Sequence, residues 1–253
     1  MEYGAITSYV DVAQVALYMF WAFFAALIYY LHRENKREGY PLESDRSPNI
    51  TVQGYPPIPE PKTFLLHDGS IVLAPRKEAP EHVNGTPSAR HPGAPIDPIG
   101  DPMTAGVGPG AYARRADTPD LTADGKIKIV PLRADPEFHV AGDDPDPRGF
   151  AVLGADGVRA GTVKDVWVDR SEVLFRYFEV DLGSKTVLLP VNFSRILTET
   201  GQVVVNSILA AQFAGVPALA SADRITLLEE ERIPAYYGAG TLYATPERRE
   251  PLI

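Results

Sequence analysis

Five carboxylates crowd one short stretch of the chain: Asp165, Asp169, Glu172, Glu179 and Asp181, with Arg170 and Arg176 interleaved. Asp124 and Lys128 sit on a short segment upstream, and Glu229-Glu230-Glu231 follows downstream. Carboxylates held close together raise one another's pKa, so each can take up and release protons near neutral pH. The chemistry this pattern offers is a proton relay. The same residues also describe a solvated face laced with weak ion pairs, and spacing alone favours that plainer reading, because charge clusters have low specificity. A relay further requires a proton consumer, and this chain supplies none.

Other chemistry is missing from the sequence. There is no phosphate loop, no G-x-G-x-x-G after a strand, no G-x-S-x-G and no H-E-x-x-H. The five histidines, His32, His67, His82, His91 and His139, are scattered without metal-ligand spacing, so no metal site is expected. The absence of cysteine excludes disulfides, thiolate metal sites and a cysteine nucleophile. With 24 Lys+Arg against 33 Asp+Glu the net charge is −9, which argues against nucleic acid as the main partner.

The carboxylates fall in a region of strand patterning. Phe150 to Leu153, Val158 to Val168, Leu174 to Leu182, Thr186 to Leu189, Phe193 to Leu197 and Val203 to Val205 are short apolar or alternating runs separated by turn residues. They predict a small antiparallel barrel or sandwich. Ser207 to Phe213 reads as a short helix. Thr226 and Glu229 form a capping box ahead of a helical segment, Leu228 to Tyr243, that Pro234 is expected to interrupt or restart.

Upstream, residues 41–120 hold 15 of the 24 prolines, which excludes continuous helix or central strand. One island, Thr63 to Leu66, Asp68-Gly69 and Ile71 to Leu73, predicts a hairpin. The remainder reads either as a disordered linker or as an extended segment ordered on a partner surface.

Val12 to Leu31 is a run of twenty residues with no charge and one polar side chain, Gln14. As a helix it is about 30 Å long, the thickness of a bilayer's hydrocarbon core. Glu2 and Asp11 make the leading segment acidic, and no small-residue cleavage site follows, so a signal peptide does not fit. A buried core helix would carry some polar face. A membrane span is the expectation. Arg33, Lys36 and Arg37 follow it, and the positive-inside bias then puts residues 1–11 in the periplasm and the body in the cytoplasm. Those three cations could also hold anionic lipid headgroups, each contributing on the order of 1 kcal/mol near a charged surface.

Several ordered motifs carry a family resemblance: Ile28-Tyr29-Tyr30-Leu31, Arg37-Glu38-Gly39-Tyr40-Pro41-Leu42, Pro61-Lys62-Thr63-Phe64 and Gly100-Asp101-Pro102-Met103. Gly106-Val107-Gly108-Pro109, Lys128-Ile129-Val130-Pro131, Asp146-Pro147-Arg148-Gly149 and Val166-Trp167-Val168-Asp169-Arg170-Ser171-Glu172 continue the order. Thr226 to Glu230, Ala235-Tyr236-Tyr237 and Tyr243 to Arg248 complete it. Over nearly its whole length the chain resembles the H subunit of the photosynthetic reaction centre of purple bacteria.

The resemblance implies a single N-terminal transmembrane helix, residues 12–31, followed by a mainly-β cytoplasmic domain. Residues 32–120 would be a Pro-rich segment lying on partner subunits. Residues 121–253 would be a PRC-type barrel with a short C-terminal helix. The implied protein is not an enzyme. It binds no pigment itself and caps the cytoplasmic face of the L and M subunits, which hold bacteriochlorophyll, bacteriopheophytin, quinones and non-haem iron. A cytochrome subunit and a light-harvesting ring are further neighbours in some complexes, in the inner or chromatophore membrane. The secondary quinone takes up protons as it is reduced, which supplies the missing consumer. Asp124, Asp169 and Glu172 match the family's proton route, with Lys128 and Arg176 as charged neighbours that tune it. Where some relatives place two histidines after the residue matching Asp124, this chain has Gly125-Lys126-Ile127. A different class fits the residues too: a membrane-anchored adaptor whose PRC-like barrel binds other proteins and conducts no protons.

Overall fold

The computed structural model describes residues 4–7, 9–39, 42–44, 47–52, 54–75, 83–91 and 93–249. Glu2, Tyr40, Pro41 and His82 lie outside the described residues. The chain divides into two compact units, Met1–Glu81 with Ala89–Ala94, and His82–Ser88 with Pro95–Ile253.

In the first unit, helix α1 runs Val12–Asn35 and contains the whole of the expected span. Its start is fixed by a capping box. Asp11 Oδ1 accepts from the Gln14 N–H at 2.7 Å, and Gln14 Oε1 accepts from the Asp11 N–H at 3.3 Å. None of its described residues is buried, which is not the pattern of a core helix. Strands β1 (Leu42–Ser44) and β2 (Ser47–Val52) pair antiparallel, a ladder that proline content had hidden from the sequence. The expected hairpin is present as β3 (Lys62–Leu65) and β4 (Ile71–Ala74), with Leu65 opposite Ile71.

The second unit begins with a short ladder of β5 (Gly85–Pro87) and β6 (Ile96–Pro98). Residues 95–120 belong to this unit, and Met103 packs into its core. The main sheet contains β7 (Ile129–Pro131), β8 (Ala151–Leu153), β9 (Arg159–Asp169), β10 (Leu174–Asp181), β11 (Thr186–Pro190), β12 (Ser194–Leu197) and β13 (Gln202–Val205). The strands are ordered β11-β10-β9-β8-β13-β12, with β7 also paired to β9. The expected strands are all there, but two details differ from an antiparallel barrel. Strand β13 runs parallel to β8, and β11 and β12, at the two ends of the order, are not hydrogen-bonded to each other. They are consecutive in the chain, and the 3-10 turn Val191–Phe193 after Pro190 diverts the backbone between them. By its hydrogen bonds the sheet is open.

The core is built on strands buried on both faces, with consecutive buried runs in β9, β10 and β11, and Trp167, Phe178, Val152 and Leu189 are essentially inaccessible. Helix α2, Leu227–Tyr243, closes it with Ile233, Tyr237 and Ala239. The Thr226–Glu229 capping box is formed, with Thr226 Oγ1 accepting from the Glu229 N–H at 3.1 Å. Pro234 lies inside one continuous helix instead of breaking it. Its missing N–H leaves the Glu230 carbonyl without its helical donor. Burial of Ile233, Ala235, Tyr236 and Tyr237 on both sides, with Tyr237 donating to the Leu188 carbonyl at 3.1 Å, outweighs that loss. The expected short helix at Ser207 to Phe213 is instead a 3-10 stretch, Ala210–Gly215.

Candidate functional site

Asp169 is the last residue of β9, opposite Ile129 of β7 and Leu174 of β10. Its side chain is fully buried. Oδ1 accepts from the N–H groups of Ser171 at 2.9 Å and Glu172 at 3.1 Å, and so holds the β9–β10 turn closed. That turn forces Val173, a β-branched residue, to φ 54°, a left-handed conformation such residues rarely adopt. Oδ2 accepts no hydrogen bond among the described residues, which is costly for a buried oxygen. Lys128 Nζ stands 3.7 Å from it, delivered by the backbone bond from Arg170 N–H to the Lys128 carbonyl at 2.9 Å. Burial opposes the charge of Lys128, but Asp169, Asp120 and Glu172 outweigh it and hold the ammonium above its ordinary pKa.

Glu172 extends from the same turn into solvent, 3.8 Å from Arg176, which is the extra residue of a bulge in β10. A bulge re-aims its side chain, and here it puts the guanidinium beside the turn carboxylate. The structure thus brings together Asp169, Lys128, Glu172 and Arg176. Asp124 stands apart from these contacts, exposed at the tip of a small hairpin closed by the Thr122 N–H to Lys126 carbonyl bond at 2.8 Å. The base of that hairpin carries Asp120, whose Oδ2 is 3.4 Å from Lys128 Nζ.

Two further acids join this neighbourhood: Asp120, which sequence reasoning did not single out, and Glu230, which it left as plain surface. Asp120 shares Lys128 with Asp169. Glu230, on the first turn of α2, lines a groove of about 470 Å³ with Arg115, Arg176, Tyr177 and Glu231. Burial raises its carboxyl above the ordinary value; Asp120 adds to the rise, while Arg115, Arg176 and Lys128 act against it. The capping box at Thr226 was the available signal: it places Glu229 on the cap and turns Glu230 to a neighbouring face.

The remaining carboxylates of the crowd serve structure. Glu179 and Asp165 face each other across β9 and β10, and Arg133 Nη1 donates to both, at 2.9 Å to Asp165 Oδ2. Glu179 also takes Trp167 Nε1–H at 2.9 Å and Lys164 Nζ at 3.1 Å. Burial would raise its pKa, yet Arg133, Trp167 and Lys164 hold it below the usual carboxylate range. Asp181 only closes the next turn, accepting from Gly183 N–H at 2.8 Å. Arg170 ties the Ile127 carbonyl to Asp135, 2.8 Å from its Oδ2.

In the first unit, Lys36 is buried with Nζ 2.5 Å from the Pro56 carbonyl, and Arg37 engages Glu34 at 2.8 Å together with the Glu60 carbonyl. Of the three cations after the span, Arg33 keeps an exposed side chain. Among the described residues no group of three or more His, Asp or Glu is placed to hold a metal ion.

Comparison with known proteins falls on both units. Residues 142–212 match the PRC-barrel domain family. An uncharacterized protein of Deinococcus radiodurans is 33% identical over 81 residues, 30% of this chain and 30% of its own length. The chain therefore spans under a third of that relative. Residues 4–134, just over half of the chain, match the photosynthetic reaction centre H-chain N-terminal region. With the apolar helix, the β domain and the C-terminal helix in the order that family implies, the chain belongs to the photosynthetic reaction centre H-chain family.

Proposed function

We propose that this chain is a reaction-centre H subunit that caps the cytoplasmic face of the L and M subunits, stabilises the complex and conducts protons toward the secondary quinone. It makes and breaks no bonds of a substrate. In this reading α1 crosses the inner or chromatophore membrane with its N-terminus periplasmic, and the β domain is cytoplasmic. The excess of basic residues just after the span supports that orientation. The quinone, held by the partner subunits, consumes the protons. The residues of this chain collect and pass them.

The observation that carries the conduction reading is the open Oδ2 of the buried Asp169. A carboxylate with one oxygen saturated by backbone and the other unoccupied can accept a proton or a water-borne hydrogen bond at that atom. Lys128 stands 3.7 Å from that oxygen, and Glu172 supplies a half-exposed carboxylate at the mouth of the same turn. Asp124 belongs to the collecting surface in this scheme, without a direct contact to the turn. Flash spectroscopy on the intact complex tests it. Glu172→Gln and Asp169→Asn should slow the proton-coupled second electron transfer while leaving primary charge separation unchanged. Unchanged kinetics in both variants remove these residues from the route. Absence of bacteriochlorophyll absorbance in tagged protein purified from a photosynthetic host would favour the adaptor reading instead.

A further inference from the structure

The β3–β4 hairpin carries apolar side chains on both faces, and one face is the more exposed. Its two strands alternate, so Thr63, Leu65, Ile71 and Leu73 share one face, and Lys62, Phe64, Val72 and Ala74 share the other. On the first face Leu65 is 75% and Ile71 66% exposed, and Leu73 is exposed with them. A small ladder of two strands gains little by folding with such a face in water.

The hairpin is also anchored at a defined height. Lys62 Nζ lies 2.6 Å from Glu34 Oε2 and 5.7 Å from the centroid of the Tyr30 ring. Arg37 donates to the Ala74 carbonyl at the far end of β4. Both strands are thus tied, at the open end of the hairpin, to the residues just beyond Leu31. Glu34 and Arg37 lie about 4–9 Å further along the helix axis than Leu31, which is the depth of the headgroup layer when residues 12–31 fill the hydrocarbon core. Around this level the chain gathers Tyr29 and Tyr55, with ring centroids 6.4 Å apart, and the exposed Arg33. Tyrosines and cations at one level are the composition of a membrane–water interface.

We propose that the β3–β4 hairpin is a membrane-surface element, with its Leu65–Ile71–Leu73 face set into the headgroup–acyl boundary of the lipid bilayer beside the end of α1. The proposal rests on the reading of α1 as a membrane span. The polar tip, where Asp68 Oδ1 accepts from Ser70 N–H at 2.9 Å and Ser70 Oγ at 2.6 Å, stays in the aqueous layer. The hairpin would give α1 a second, lateral attachment and so fix the rotation of the helix about its own axis.

The chain lacks cysteine, so single substitutions Leu65→Cys, Ile71→Cys, Asp68→Cys and Ala25→Cys can each carry a nitroxide without background. The full-length chain is reconstituted in vesicles of phosphatidylcholine and phosphatidylglycerol, and collision with dissolved oxygen is compared with collision with a water-soluble nickel chelate. The expected result is oxygen above nickel at Leu65, Ile71 and Ala25, and the reverse at Asp68. Nickel accessibility at Leu65 and Ile71, with Ala25 still in lipid, overturns the hairpin proposal and leaves the span intact. Shielding of Leu65 and Ile71 from both reagents means burial against protein and overturns it equally. Nickel accessibility at Ala25 removes the span and the proposal with it.

Discussion

Replacing Lys128 with methionine takes away the ammonium that stands 3.7 Å from a carboxylate oxygen with no hydrogen bond. At an effective dielectric near 20 that pair interacts by about 4.5 kcal/mol. Two features reduce the figure. Lys128 is 22% exposed and shares its charge with Asp120, and Asp169 keeps its two backbone donors after the change. A coupling energy of about 2 kcal/mol is the working value, below the ~3–5 kcal/mol seen when one partner of a fully buried pair is deleted. The assay is a double-mutant cycle of Lys128→Met and Asp169→Asn on the full-length chain in detergent, unfolded by urea. Fluorescence follows Trp167, which is buried in the core, while the other tryptophan, Trp21, lies in the apolar helix. With a denaturant slope of about 2 kcal/mol per molar, Lys128→Met should lower the midpoint by roughly 1 M. In the Asp169→Asn background the same change should cost little. A coupling below about 0.5 kcal/mol refutes the reasoning, because the open oxygen would then have other stabilisation.

The Glu179 cluster predicts a pH effect of definite sign. Its carboxyl is held below the ordinary value in the fold, so its contribution is fully present above the unfolded-state pKa and is lost as pH falls through the folded one. Urea midpoints measured from neutral into the acid range should therefore fall in the native chain. Glu179→Gln should start lower at neutral pH and fall less steeply. Close packing of α2 gives another test. A Cβ on Gly240 would lie 2.5 Å from the Ser207 carbonyl oxygen and 2.4 Å from Ile208 Cγ2. Gly240→Ala should destabilise by about 1–3 kcal/mol, and a neutral or stabilising result in the same urea assay would contradict the packing.

What the sequence disclosed follows the range of its signals. The span and strands β8 to β13 were legible because each is a run of residues repeating over its own length, as in Val12 to Leu31 or the alternating Leu174 to Leu182. The Thr226–Glu229 box was legible for the same reason, with both partners in one turn of helix. The ladders β1–β2 and β5–β6 were not, because they are short and contain proline, and their pairing depends on the chain around them. Pro234 was misjudged as a break because the helix is held by tertiary burial that no local rule counts. Asp120 was missed because a small hairpin, not a spacing rule, returns the chain from it to Lys128, and Glu230 because the fold brings it to Arg115 and Arg176 from a distant stretch of sequence. Glu172 and Arg176, four residues apart, were within reach of a spacing rule.

The carboxylate crowd itself shows why spacing could not separate a relay from a scaffold. Asp165 and Asp169 are four residues apart on one strand, about 13 Å, so each draws a different set of neighbours. Glu179 and Asp169 are both buried, and burial alone would assign them the same role. Glu179 is saturated: Arg133, Lys164 and Trp167 all bind it, and such a group exchanges its proton only by breaking three contacts. Asp169 has one oxygen committed to the turn and one left open beside a single lysine. Lysine has a flexible stem and a compact charge, where the forked guanidinium of Arg133 binds two acids at once. The degree of saturation, set by strand register and by the lysine just before β7, separates the two: the proposed conduction is assigned to Asp169, while the contacts of Glu179 hold the sheet together.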